Sequence, residues 1–217
     1  MYDILKTVYY CLLFSVTLYA LITFKTIRKN GGQLLAFALI LSAGVEIVAL
    51  AARWYKIKYL VVYNLYNLAI VPLYLWLLLE SLPAKYRKLT VYVIGLFLLA
   101  GLANFAVLQG MRQFNNYTIL LGATLIILFC MLYFKSRFET PQEDLLKSWR
   151  FWASTGLIMY FTGTLLYFGF LHYLHRLGPD WLVRVAIILQ LMNIMLYTIF
   201  GIALLCLRRP QKLSPSY

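Results

Sequence analysis

The chain has 217 residues, 63% of them hydrophobic and 12% charged, and its mean hydropathy is +0.79. A soluble globular domain is roughly 45–50% apolar and about 25% charged, so a soluble fold is excluded and the natural solvent is a bilayer. The net charge of +13 does not indicate nucleic acid. The basic residues sit in short clusters between apolar runs, a pattern that sets membrane topology, and anionic lipid headgroups are the acidic partner that suits them.

A transmembrane helix takes roughly 20 residues. Seven apolar stretches meet that length: residues 4–24, 33–55, 59–82, 89–110, 117–135, 149–172 and 181–207. Each is expected to be helical, because backbone groups in hydrocarbon must be satisfied within the segment. The predicted fold class is all-α: one seven-helix transmembrane domain spanning residues 1–217.

The first stretch lacks a small-residue cleavage site and reads as a retained helix, not a signal peptide. Asn30-Gly31-Gly32 breaks the chain before the second, which carries Ser42, Glu46 and, near its end, Arg53. The third contains "YNLYNLAIVP", residues 63–72. Its two amides, Asn64 and Asn67, are three apart and expected on one helix face. Its Pro72 leaves the carbonyl near residue 68 without the usual donor. The fourth carries Asn104 and closes at Gly110. After the fifth, Thr140-Pro141-Gln142-Glu143 reads as a capping box with proline at the first helical position. The sixth helix is therefore expected to begin at Pro141, ahead of the bilayer. Its Gly156, Gly163 and Gly169 read as close-packing positions, and His172 and His175 close its far end. The seventh carries Gln190 and Asn193, again three apart, with Tyr197 four further on. The tail after Leu207 is ten residues. No second domain is expected, so any output has to pass through a cytoplasmic or membrane partner protein. Cys11, Cys130 and Cys206 fall in apolar runs without a C-x-x-C and read as packing residues.

Lysine and arginine set the orientation. One set of helix ends carries Lys25, Arg28, Lys29, Lys85, Arg87, Lys88, Lys135, Arg137, Lys147, Arg150, Arg208, Arg209 and Lys212. The other carries only Lys6, Arg53, Lys56, Lys58, Arg112, Arg176 and Arg184. The first set is expected in the cytoplasm, which places the N-terminus outside, the C-terminus inside and the protein in the cytoplasmic membrane. Tyr9, Trp54, Tyr55, Tyr59, Trp149, Trp152 and Trp181 lie near helix ends, and with most of the 18 tyrosines they read as an interfacial belt.

This orientation brings the buried polar groups to similar depth. Glu46, Asn64, Asn67, Asn104 and Gln190 fall in the outer halves of their helices and Asn193 near the centre, with Arg53, His172, His175, Arg176 and Arg184 at the outer rim. A carboxylate at membrane depth should face the bundle interior or a wet cavity. The expected site is an outer-half polar cavity in which Glu46 supplies charge or a proton switch and the amides supply orientation. The alternative is that the amides are interhelical glue, worth about 0.6–2 kcal/mol each. Asn64-Leu65-Tyr66-Asn67-Leu68 and Gln190-Leu191-Met192-Asn193-Ile194 also match at an offset of 126, which carries Glu46 onto His172. That suggests two parallel three-helix repeats around one linking helix.

No catalytic chemistry is indicated. His172 and His175 are the two histidines, short of the three protein ligands of a catalytic zinc, and no H-E-x-x-H, P-loop or dinucleotide fingerprint occurs. Ser154 and His172 are 18 residues apart on one helix, about 27 Å, too far for a dyad. Neither a metal nor another cofactor is expected.

Three resemblances follow from the seven-helix pattern. Microbial rhodopsins hold retinal on a lysine of helix 7, and residues 181–207 contain no lysine. The placing of Asn67 and Asn193 resembles the PQ-loop type of seven-helix sugar facilitator, whose helices 3 and 7 each present an asparagine to substrate. That likeness implies substrate contact for both residues. The family's hinge prolines in helices 1, 2, 5 and 6 are missing here; Pro72 is the intramembrane proline, and the Pro-Gln pairs at 141–142 and 210–211 lie in a loop and the tail. The whole chain also resembles, in helix count and style, the seven-helix sensor modules found ahead of bacterial histidine kinases. It implies a non-enzymatic receptor-like module for a small or amphipathic ligand. A small solute carrier with a proton-linked Glu46 and a structural subunit of a membrane complex are the alternatives.

Overall fold

The structure, a computed structural model, describes residues 2–56, 59–110, 113–139, 144–177 and 179–208, and for residues 171–177, 179–183 and 185 the backbone alone. All regular structure among the described residues is helical. In chain order the α-helices are α1 (Tyr2–Ile22), α2 (Phe24–Lys29), α3 (Gln33–Trp54), α4 (Leu60–Leu79), α5 (Arg87–Ala103), α6 (Asn116–Glu139), α7 (Trp149–Leu177) and α8 (Pro179–Arg208). A π-helical turn, Asn104–Leu108, extends α5.

Six helical segments are long and apolar enough to cross a membrane: Tyr2–Ile22, Gln33–Trp54, Leu60–Leu79, Ala84–Leu108, Asn116–Glu139 and Ala186–Arg208. The sequence predicts seven, and α7 stands outside the set. Its 29 residues are ample, but Ser154, Thr155, Thr162, Thr164 and its glycines dilute the apolar run. The start of α7 also differs from expectation. Thr140–Glu143 lie outside the described residues. A 3-10 turn at Leu145–Lys147 and an extended Ser148 (ψ 120°) then intervene, so the helix begins at Trp149 and not at Pro141. Lys147 sits 2.8 Å from Asp144 and holds that carboxyl below its usual range; both side chains are exposed, and such pairs contribute little stability. Trp149 is 2% exposed and belongs to the core, not to an interfacial belt.

Six helices close into a ring in the order α1, α3, α4, α6, α7, α8 and back to α1. Helix α5 lies outside the ring, against α4 and α6. Its far side is open, with Tyr92, Leu96 and Leu99 each about two-thirds exposed or more, as suits a lipid-facing helix. Neighbouring α3 and α4 run in opposite directions, and so do α7 and α8: Glu46, late in α3, meets Tyr63, early in α4, while Gly156 and Gly163 of α7 meet Ile199 and Met192 of α8 in reverse order.

Small residues set the spacing. Gly163 lies 2.9 Å, measured from an ideal Cβ, from Met192, and Gly156 3.2 Å from Ile199, so both are close-packing positions. Gly169 meets nothing within 4 Å among the described residues. Gly101 of α5 rests on Leu68, and Gly122 of α6 rests on Val71 and Phe97, which lets α4, α5 and α6 approach. At the opposite end from the N-terminus, Asn30 Nδ2 donates to the Leu207 carbonyl at 2.6 Å. That carbonyl is one of the orphan acceptors of the α8 C-terminus. Gly31 makes the turn at φ +75°, where glycine carries no steric cost, and a side chain on Gly32 would strike Leu207.

Gly122→Leu is expected to destabilise the fold by about 1–3 kcal/mol through overpacking, read as a lower thermal midpoint in lipid nanodiscs. Gly95→Leu, at a glycine that faces open space, should leave the midpoint near wild type. Equal midpoints for the two variants would rule out the close approach of α4 and α6.

Candidate functional site

Helix α4 presents two stripes. Tyr63, Tyr66, Asn67, Ile70 and Tyr74 fall at helical spacing and line an interior cavity of about 260 Å³. Asn64, Leu68, Val71 and Leu75 fall on the adjacent face and are buried, with Leu68 and Val71 against α5 and α6. Residues three apart differ by about 60° around a helix of 3.6 residues per turn, enough to send the two asparagines to different surroundings.

Asn64 is 1% exposed. Its Nδ2 donates to the Gln113 carbonyl at 2.9 Å, and its Oδ1 accepts the Asn115 N–H at 3.1 Å. It pins the segment that leads into α6 and does not line the cavity. Asn104 is likewise structural. Its Nδ2 donates to Gln109 Oε1 at 3.0 Å and to Thr118 Oγ1 at 2.9 Å, and Gln109 Oε1 also accepts the Tyr117 N–H at 3.3 Å. The π-helical turn permits this, since Gln109 N bonds the Asn104 carbonyl five residues back. Both amides were expected in the cavity, and both instead hold the chain between α5 and α6. A loop segment rich in backbone polar groups beside hydrocarbon needs such partners.

The other four predicted site residues do come together. Glu46, Asn67, Gln190 and Asn193 all line the cavity. Glu46 is half-buried; its Oε1 accepts the Tyr9 hydroxyl at 3.0 Å and its Oε2 the Tyr63 hydroxyl at 3.1 Å. No ion pair forms at Glu46 among the described residues. One turn along α3, Ser42 Oγ donates to the Ala38 carbonyl and shares a 2.8 Å hydrogen bond with Tyr66. Asn67 and Asn193 each donate one N–H to the carbonyl four residues back, at 2.9 and 3.0 Å, which leaves each an acceptor oxygen and a second N–H for a ligand. Gln190 Oε1 is buried and has no partner among the described residues. An unmade hydrogen bond of this kind costs about 1–3 kcal/mol, which a ligand or water donor would recover.

Lys6, Tyr2 and Arg53, near helix ends, form the mouth. The Arg53 guanidinium lies 4.8 Å from the Tyr59 ring and Lys6 6.0 Å from the Tyr10 ring. Arg53, expected at the rim, lies in the cavity lining near the end of α3. Arg184 is exposed and does not line the cavity. The side chains of His172, His175 and Arg176 lie outside the described residues.

The sequence reading missed the aromatic lining. Tyr9 is 6% exposed and bonds Glu46, so it is no belt residue. With it, Tyr66, Tyr74, Tyr160 and Tyr197 surround the cavity, Tyr9 and Tyr197 with ring centroids 5.8 Å apart. The signal was available: these rings lie more than a turn inside their helices. Trp54 and Tyr55, by contrast, are 85% and 74% exposed, in keeping with a belt.

Asn64→Leu should lower stability by about 1–3 kcal/mol, because it strands the Gln113 carbonyl and the Asn115 N–H. Asn67→Leu, which removes one intrahelical bond at the cavity wall, should lower it by less. Thermal unfolding of the two variants in lipid checks the order, and the reverse order would mean that Asn64 does not hold the α6 entry.

Searches against protein-family models, curated proteins and solved structures found no match.

Proposed function

We propose that the protein is a non-enzymatic, multi-pass membrane protein that binds a small ligand in the cavity and acts as a receptor-like module. The observation that carries this reading is the cavity itself: a half-buried carboxylate with no cationic partner among the described residues, set among phenols and amide oxygens and enclosed by six helices. A concave, mostly apolar site with a few convergent polar groups is the usual form of a ligand pocket. Seven crossings with the N-terminus outside fit the asymmetry of Lys and Arg, and they put the mouth, near Lys6 and Arg53, on the outer side of the cytoplasmic membrane. The basic residues of α2 (Lys25, Arg28 and Lys29) then face the cytoplasm, where anionic lipid and a partner protein are available.

Protein extracted in lipid and examined by native mass spectrometry should carry a small-molecule adduct. Glu46→Gln and Asn193→Trp, the second of which fills the cavity, should each reduce its occupancy about tenfold, the loss from removing one charged contact. An adduct at wild-type occupancy in both variants would sink the reading.

The ring also favours a second reading, a small solute carrier. Helices α1, α3 and α4 lie on one side of the cavity and α6, α7 and α8 on the other, with α5 apart, an arrangement suited to two repeats rocking about a central site. A carrier would move solute across proteoliposomes, and Glu46→Gln would uncouple that flux from a pH gradient. A receptor would bind without flux.

A further inference from the structure

The charges facing the cavity are arranged by depth, and they specify a ligand class. Resting on the ligand-binding reading above, we propose that the cavity takes a small zwitterion, with its ammonium end seated inside against Glu46 and its anionic end at Lys6 and Arg53.

The inner part selects for a cation. Tyr9, Tyr63, Tyr66, Tyr74, Tyr160 and Tyr197 line it, and an aromatic face attracts an ammonium through its quadrupole, most strongly where water is excluded. The Glu46 carboxyl lies among these rings, with both oxygens held by phenol donors and no cation at ion-pair distance among the described residues. Gln190 Oε1, buried with no donor among the described residues, adds an acceptor to the same lining.

The mouth selects for the opposite charge. Lys6 and Arg53 both line it, and both rest on tyrosine rings instead of reaching Glu46. A simple cation would have to sit beside two positive charges, and a simple anion would meet Glu46. Only a molecule with both signs has a partner for each. Glu46 and Arg53 are seven residues apart on α3, about 10 Å of backbone rise; their charged ends lie closer, both within reach of the Tyr10 phenol, a gap that a short aliphatic chain with charged ends can bridge. The volume of about 260 Å³ lies just under the range of about 300–1,000 Å³ for drug-sized pockets, which suits a molecule of that size.

The test is equilibrium titration of the whole chain in lipid nanodiscs with three probes: 4-(trimethylammonio)butyrate, choline and 3,3-dimethylbutan-1-ol, the uncharged isostere of choline. The zwitterion should bind at least about tenfold more tightly than choline, and choline at least about tenfold more tightly than the alcohol. Arg53→Gln, at a partly exposed helix end, should remove the first gap and leave choline binding intact. Glu46→Gln should remove the second. Any other order of affinities, or an Arg53→Gln protein that keeps the first gap, overturns the inference. If the alcohol binds as tightly as choline, the charge assignment fails while the cavity remains a ligand site. If no probe binds, the inference fails, and the native mass spectra decide separately whether the cavity holds a ligand at all.

Discussion

Glu46 carries a carboxylate into an apolar bundle, and such a group must be hydrogen-bonded to stay. Two phenols from different helices, Tyr9 and Tyr63, each bond one of its oxygens. The arrangement ties α1, α3 and α4 together at one level and fixes which face each helix turns inward. Once Tyr63 is committed to Glu46, Tyr66, Asn67, Ile70 and Tyr74 follow it onto the same stripe by helix geometry alone. Ser42, one turn from Glu46, then meets Tyr66. The cavity results from this single commitment, because large rings anchored at their hydroxyls cannot collapse onto one another as aliphatic side chains would.

The α4 helix shows how a short polar stretch can serve two ends. Asn64 and Asn67 look equivalent in sequence, yet one closes the backbone ahead of α6 and the other borders the cavity. Asn104 joins Asn64 in the structural task through a π-helical turn. Asn64 and Asn104 make the kind of tertiary hydrogen bonds that the amide-glue alternative describes. The ligand-cavity expectation is met in geometry by Glu46, Asn67, Gln190 and Asn193.

Composition and apolar run length made the helical, multi-pass class legible, because the bilayer leaves the backbone few options. Depth along each helix was legible as well, which is why four cavity residues could be named. Rotation about each helix axis was not. Within lipid, both faces of a helix are apolar, so periodicity says little about which side turns inward. The tyrosines were misread for a related reason: a ring with a hydroxyl suits an interface and a wet interior equally. The start of α7 was misplaced because the local signal at Thr140–Glu143 competes with Trp149, whose burial against the bundle draws the helix start to itself.

Helix α5 contributes nothing to the cavity wall and packs on the ring from one side only. Its contribution is one of parity. Without it, the chain would reach α6 travelling the wrong way, and the second triplet would enter the ring upside down relative to the first. With it, α1, α3 and α4 run in the same senses as α6, α7 and α8 respectively, and the two triplets line one cavity. A segment whose duty is to return the chain across the same thickness is constrained in length and hydropathy but hardly in outward side-chain identity. The outer face of α5 is therefore where the sequence is most at liberty to drift, and the six-helix ring is where it is not.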